Sequence, residues 1–220
     1  YANGGQRNFE GFFSLLAATL KGQAPPANLP PPIVFPKIAV YHPQAPQLVF
    51  DSVPAFLRWR GVPIEPGAKR APIVAIAMHQ QYIASMQTGF IDDLVARIEA
   101  QGAIALPIYG PMMPAGAIAQ MLRPDASAPP LADMIINTQI MLNAEGRRDE
   151  FAQLRLPVLQ ATPYRRGDEA AWAADPHGVA LMDVPFYLAQ PEYAGVIDIQ
   201  IAAATRKSDD EIVAIAPQAQ

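Results

Sequence analysis

Glu192 is the residue whose setting most suggests chemistry. It stands in VPFYLAQPEYAGVID, residues 184–198, where an apolar, aromatic run stops at Gln190-Pro191-Glu192 and resumes as an apolar strand. Proline fixes φ and lacks an N–H, so it ends ladder pairing and sets the direction of the next residue. A carboxylate presented this way from an apolar frame is a candidate for a raised pKa, for acid–base work or for contact with a cation. The pattern predicts a buried strand over 184–190 with Pro191 and Glu192 at its end. A surface turn around Gly195 is the plainer alternative.

Other chemistries have less support. The three histidines, His42, His79 and His177, have no partner at helical or hairpin spacing, so no HxxxH or HExxH metal pair forms and no metal ligand is expected. His42 reads as a strand-end histidine before Pro43, and His177 as a loop residue. There is no cysteine, which excludes disulfides, thiolate metal sites and a thiol nucleophile. Neither GxGxxG nor GxxxxGK[ST] occurs, so no nucleotide phosphate is expected on this chain. Ser85 in YIASMQTG lacks a nucleophile-elbow sequence. Asp92 and Asp93 are helix neighbours pointing about 100° apart, and Asp92 suits the first turn of a helix.

The elements that must position these residues alternate. KIAVYHP (37–43), APIVAIAMHQ (71–80), AIALPIYG (103–110), ADMIINTQI (132–140) and LPVLQAT (156–162) read as strands, the second as one buried on both faces. VPAFLRWRG (53–61), GFIDDLVARIEAQG (89–102), PAGAIAQMLR (114–123) and GDEAAWAAD (167–175) read as helices. Strands alternating with helices imply an α/β fold, a mainly parallel sheet flanked by helices, Rossmann-like or like a periplasmic binding protein. Ligands gather at the carboxyl ends of such strands. Those ends read His79-Gln80-Gln81, Tyr109-Gly110, Asn137-Thr138-Gln139, Gln160-Ala161-Thr162 and Gln190-Pro191-Glu192, polar at nearly every strand.

Ahead of this rhythm, NFEGFFSLLAATLKG (8–22) reads as an amphipathic helix, and QAPPANLPPPIVFPK (23–37) as a semi-rigid proline-rich spacer. The expected organisation is a helical segment over residues 1–22 belonging to a preceding unit, a linker over 23–36, and an α/β domain over 37–220, in one or two lobes. The chain starts at Tyr1 rather than methionine, which reads as a piece of a longer polypeptide. Hydrophobic residues make up 51% and charged residues 16%, with a net charge of −4. That balance gives no support to nucleic-acid binding, and no apolar run reaches the roughly 18 residues of a membrane span.

The order of these features resembles the N-terminal part of the large subunit of cobaltochelatase and of its relative, the large (H) subunit of magnesium chelatase. The family pattern has a GG.eN segment before a helix, matched by Gly4-Gly5-Gln6-Arg7-Asn8. A proline-rich segment and Tyr41-His42-Pro43 come next, the latter closer to the cobaltochelatase branch. Then come a helix from Asp92 into Leu106-Pro107-Ile108, the run Leu156-Pro157-Val158-Leu159-Gln160, and a helix holding Trp172. Gln190-Pro191-Glu192-Tyr193-Ala194-Gly195 matches the family's lPE.dG motif, with Gln190 for the leucine and Ala194 for the acid. A loop that usually reads Tyr-Arg-Ser-His is His79-Gln80-Gln81-Tyr82 here, without the arginine and histidine.

The resemblance covers essentially the whole chain. It implies a fragment of a much larger cytoplasmic subunit that binds a tetrapyrrole and inserts cobalt, or magnesium, as the substrate metal. ATP would be hydrolysed by an AAA+ ATPase subunit and its partner chelatase subunit, not by this chain. It further implies substrate contacts at His79, Gln80, Tyr82, Tyr109, Asn137, Thr138, Gln160, Pro191 and Glu192, with Glu192 the candidate catalytic group. Loss of the arginine and histidine favours the alternative, a non-catalytic tetrapyrrole- or partner-binding module from a divergent paralogue.

Overall fold

The computed structural model describes residues 4–65, 67–111 and 115–215. Pro114, the first residue of one expected helix, and the chain ends of the expected organisation lie outside them. In chain order the elements are α1 (Gln6–Leu20), β1 (Ala39–Tyr41), β2 (Val49–Phe50), α2 (Val53–Trp59), β3 (Ile73–Met78), α3 (Gln80–Ala84), α4 (Gly89–Ala100), β4 (Ile104–Tyr109), α5 (Ala117–Leu122), β5 (Met134–Asn137), α6 (Ala144–Leu154), β6 (Val158–Tyr164) and α7 (Glu169–Ala174). A π-helical turn (Pro185–Ala189) runs into α8 (Gln190–Tyr193), and β7 (Asp198–Thr205) and β8 (Ile212–Ala214) close the chain.

The strands form a single eight-stranded sheet in the order β2-β1-β4-β3-β5-β6-β7-β8. The five inner strands from β4 to β7 are parallel, and β1 and β8 pair antiparallel at the two flanks. β3 and β4 are buried at all six of their positions. Strands covered on both faces must be apolar throughout, which is why these two were readable as unbroken apolar runs. Alternate side chains feed two cores: Ala75, Ala77, Leu106 and Ile135 face α2, α5 and α6, while Ile76, Met78 and Tyr109 face α3 and α4.

Local signals set the helix starts. The Ser52 hydroxyl accepts from the Ala55 amide at the start of α2, and Asn143 Oδ1 accepts from the Gly146 amide at the start of α6. Against α2 the His42 imidazole is fully buried, 5.1 Å from the Trp59 ring and 3.3 Å from Glu99, which also pairs with Arg60 at 2.6 Å. Burial pulls the His42 pKa down, and Glu99 opposes it.

One expected strand is corrected. Residues 185–193 are helical, not extended. A short apolar run does not distinguish strand from helix by periodicity, and the two prolines pointed the wrong way. Pro185 sits in the first turn, where its missing N–H is no loss. Pro191 would clash with the carbonyl four residues back in a regular α-helix. The π-turn ahead of it widens the ladder, so that Gln190 donates to Pro185 five residues back.

Candidate functional site

Taken alone, the parallel strands run in the order β4-β3-β5-β6-β7. The chain therefore leaves β3 toward one side and returns to β5 on the other. The carboxyl ends of β3 and β5 flank that reversal, the place where open α/β sheets hold ligands. In register, Met78 lies beside Tyr109, Ala77 beside Asn137, and Asn137 beside Gln160. His79, Tyr109, Asn137, Thr138 and Gln160 thus gather along the carboxyl half of the sheet, with Gln80 and Tyr82 on α3 directly after β3.

Most of the polar ends are spent on one another. Asn137 Nδ2 donates to Gln160 Oε1 at 2.7 Å and to the Gln139 carbonyl at 3.0 Å, and Gln160 Nε2 donates to the same carbonyl at 3.1 Å. Thr138 Oγ1 donates to the Ala77 carbonyl at 2.9 Å, and Gln139 Nε2 to the Met78 carbonyl at 2.6 Å. All four side chains are buried. A satisfied buried network of this kind rigidifies an edge. It ties β3, β5 and β6 together where backbone pairing ends.

A second group stands above that network. His79 is partly buried, its ring 6.2 Å from that of Tyr82. The Tyr82 hydroxyl is buried and has no hydrogen-bond partner among the described residues, and the same holds for Tyr109 and Thr162. Arg165 comes directly after β6, and its guanidinium acts on His79, Tyr82 and Tyr187 together. Burial lowers the His79 pKa to about 4, helped by the positive charges of Arg165 and Arg147. Burial pushes the hydroxyls of Tyr82, Tyr109 and Tyr187 upward, so all three stay protonated donors. A void of about 10 Å³ lies where β4 meets α5, lined by Tyr109, Gln139 and Arg147 among others. That is room for about one water.

His79 sets a pH dependence. Its folded pKa lies below the ordinary 6.5, so the folded state binds the proton less well than the unfolded chain. The stability this confers is complete above pH 6.5 and is lost as the pH falls toward 4. Between pH 7 and 4.5 the wild type should lose about 2 kcal/mol more than His79→Gln. Urea denaturation at both pH values measures the difference; equal losses would place the imidazole in solvent.

Pro191 and Glu192 stand apart from this group. The helix holding them begins at the carboxyl edge, where the Phe186 carbonyl accepts from the Met141 amide. It ends at the opposite edge, where the Ile197 amide donates to Val158, the first residue of β6. Glu192 is exposed there, and its carboxylate makes no hydrogen bond or ion pair among the described residues. The structure therefore brings His79, Gln80, Tyr82, Tyr109, Asn137, Thr138 and Gln160 to one edge and puts Pro191 and Glu192 at the other.

Arg165 escaped the sequence reading because β6 runs on to Tyr164, past Gln160-Ala161-Thr162. Pro163 signals the end of a strand, but the register shifts between Thr162 and Pro163 and absorbs it. The basic pair Arg165-Arg166 ahead of Gly167 was the available signal. The GG segment also acquires a reason. A Cβ on Gly4 would stand 1.9 Å from the Ala84 carbonyl oxygen, and the Gly5 amide donates to that same oxygen at 2.9 Å. Asn8 donates to the Gly4 and Ile33 carbonyls and accepts from the Ile33 amide. The start of α1 is thereby clasped to the end of α3 and to the proline-rich segment, which fixes the helix that carries Gln80 and Tyr82.

Comparison with known proteins agrees with this architecture. The family model CobN/Magnesium Chelatase matches residues 1–220. The chain is 26% identical over 201 residues to the aerobic cobaltochelatase subunit CobN of Pseudomonas aeruginosa, covering 88% of this chain and 15% of that protein. It is 21% identical over 210 residues to the chloroplastic magnesium-chelatase subunit ChlH of Oryza sativa subsp. indica, covering 89% and 15%. The catalytic subunit of cobaltochelatase from Mycobacterium tuberculosis superposes with a TM-score of 0.67 at 21% identity, over 98% of this chain and 17% of that one, which shows the fold. The chain thus spans about 15% of the length of the curated relatives it matches.

Proposed function

The chain belongs to the CobN/magnesium chelatase family, and from that premise we propose that it is one part of the large subunit of a metal chelatase. On this reading the complete subunit binds a tetrapyrrole and inserts cobalt into a corrinoid precursor, with magnesium the alternative metal. ATP is hydrolysed by an AAA+ partner and a second partner subunit in the cytoplasm. The observation that supports it is the family match over the whole chain, joined to a sheet whose carboxyl edge carries His79, Tyr82 and Arg165 at the chain reversal. The chain's own contribution is to hold the macrocycle. The buried Asn137–Gln160 network keeps the edge rigid, the partly exposed ring of His79 offers surface, and Arg165 offers charge. Among the described residues no group of three or more His, Cys, Asp or Glu side chains could hold a metal ion. Proton removal from the macrocycle and delivery of the metal are assigned to the rest of the subunit, and the 220-residue chain is expected to insert no cobalt by itself.

Equilibrium titration tests this reading. A metal-free corrinoid and protoporphyrin IX are added to the chain while Trp59 and Trp172 fluorescence is monitored. Saturable binding of either supports a tetrapyrrole-holding part, and preference for the corrinoid supports the cobalt branch. Glu192→Ala is expected to leave the affinity within about twofold, because Glu192 lies at the far edge; substituting a surface carboxylate that touches no ligand costs little. A tenfold loss in Glu192→Ala would move the substrate to that edge. Absence of binding to both ligands would leave a partner-docking module as the better reading.

A further inference from the structure

α1 carries an apolar seam that the other described residues leave open. Phe9, Phe13, Leu16 and Leu20 follow one another at spacings of four, three and four residues. At 100° per residue they fall on one side of the helix. This is the seam along which one α-helix packs against another, each side chain set between those of its partner. Ala18, the one buried residue of α1, lies on the opposite side. Phe13 is 60% exposed and Leu20 79%, and Leu16 is exposed as well. The Phe9 and Phe13 rings stack at 6.5 Å, and Phe12 meets Phe13 edge-on at 5.3 Å.

The helix is held with this side outward. Its start is clasped to Ala84 and to Ile33. Its end is a Schellman stop, in which the Gly22 amide donates to the Thr19 carbonyl and the Gln23 amide to the Ala18 carbonyl, with Gly22 at φ +65°. The proline-rich segment runs along a third side, where a Cβ on Gly11 would meet Leu29 at 3.9 Å. No charged residue occurs from Gly11 to Leu20. This spacing and composition fit a second helix with an apolar stripe. The polar side mixes Arg7, Glu10 and Lys21, without the basic face of a helix that lies on a membrane. The size of the seam says how the second helix arrives. At roughly 200 Å² per side chain, the open parts of Phe13, Leu16 and Leu20 come to about 300 Å². A stable interface between separate molecules needs ~800 Å² from each. A helix on the same polypeptide needs far less, because tethering raises its effective concentration at the seam. The curated relatives have the length to supply one, since this chain spans 15% of it.

We propose that the Phe9-Phe13-Leu16-Leu20 seam is the docking surface for an amphipathic helix from the remaining part of the same subunit, and that this contact seats the α/β unit in the larger polypeptide. This rests on the reading above that the chain is one part of a longer subunit. α1 then serves two neighbours. Gly4, Gly5 and Asn8 fasten it to α3 and to the proline-rich segment, and its outer side receives the second helix. The docked helix and α3 thereby share α1 as a common support.

The chain has no cysteine, so one introduced thiol reports on the seam. Leu20→Cys is made in the 220-residue chain and in the full-length polypeptide, and alkylation of the α1 peptide by iodoacetamide is followed by mass spectrometry. In the 220-residue chain the thiol should react as an exposed one. In the full-length polypeptide it should react at least about tenfold more slowly, because a docked helix uncovers it only on local opening. Glu10→Cys, on the polar side, should react at the same rate in both. Phe13→Lys added to Leu20→Cys in the full-length polypeptide should speed the reaction at least about fivefold, because a charge in the seam opposes docking. Equal rates for Leu20→Cys in the two forms overturn the proposal, as does equal protection of Glu10→Cys. Sedimentation of the 220-residue chain as a dimer, with Leu20→Cys protected in it, assigns the seam to a second copy and overturns the tethered helix. Protection that appears only with vesicles of phosphatidylcholine and phosphatidylglycerol assigns it to a membrane and does the same. The two readings fail separately. Protected Leu20→Cys in a full-length polypeptide that binds neither porphyrin nor corrinoid keeps the seam and removes the chelatase; reactive Leu20→Cys in one that binds them does the reverse. A reading frame that holds no further chain overturns both.

Discussion

Glu150→Ala should cost about 3 kcal/mol of folding stability, the lower end of what breaking a buried ion pair costs. Glu150 is 3% exposed and Arg147 6%. One carboxylate oxygen accepts from the Arg147 guanidinium at 2.5 Å. The other accepts from the Ala119 amide at 2.9 Å. That amide is one of the unpaired donors in the first turn of α5, and Gly116 before it has no side chain to cap them. Glu150 thus caps α5 from α6 while holding a buried cation. Alanine removes both functions together. Glu150→Gln keeps an acceptor for Ala119 and should cost about half as much. Urea denaturation at pH 7 measures both, with the slope on denaturant unchanged. A loss below about 1 kcal/mol for alanine would show that the pair is hydrated and not buried.

Gly4→Ala should open the clasp between α1 and α3. The new methyl would stand 1.9 Å from a backbone oxygen, and φ of +60° adds strain for any L side chain. Because that neighbour is backbone and not a flexible side chain, relief requires Gly4 and Ala84 to separate. Strain of about 1–3 kcal/mol is the expected scale. It should appear locally, because Ala18 is the one buried residue of α1. Hydrogen exchange at the Gly5 amide should accelerate at least about fivefold, with exchange in β3 and β4 unchanged. Gly5→Ala is the contrast. Its methyl would meet the Phe35 ring at an ordinary 3.5 Å, and its cost is confined to φ. Equal effects from the two substitutions would refute the close approach at Gly4.

How much of the fold was legible in the sequence depended on how each element is buried. β3 and β4 are enclosed on both faces, so every residue reports burial, and both stood out as apolar runs. α6 did not. Its buried face is Arg147, Glu150, Phe151 and Leu154, and a charged pair in the core gives no apolar period to detect. The helix over 185–193 was hidden by prolines that a π-turn accommodates, a backbone solution that composition does not encode. At the site, alternation of strands and helices was enough to gather His79, Tyr109, Asn137 and Gln160 at one edge. It could not show that Asn137, Thr138 and Gln160 would hydrogen-bond internally, because that depends on lateral register across β3, β5 and β6. Nor could it reveal Arg165, which reaches the edge only because a bulge lets β6 continue through Pro163.

The two flanks of the sheet have a bearing on how such a piece survives inside, or outside, a much longer polypeptide. One flank ends in the two residues of β2 and the other in the three of β8, each pairing antiparallel with the strand beside it. The turn that leads from β7 into β8 is charged, with Arg206 paired to Asp209 and Glu211. Strand edges this short and this charged offer an incoming chain too few free amides and carbonyls to template upon. The parallel strands, which fold slowly and would be the most adhesive, are all interior. During synthesis, or when expressed alone, the sheet is therefore protected against runaway strand addition, and self-association by that route should be negligible even at high concentration.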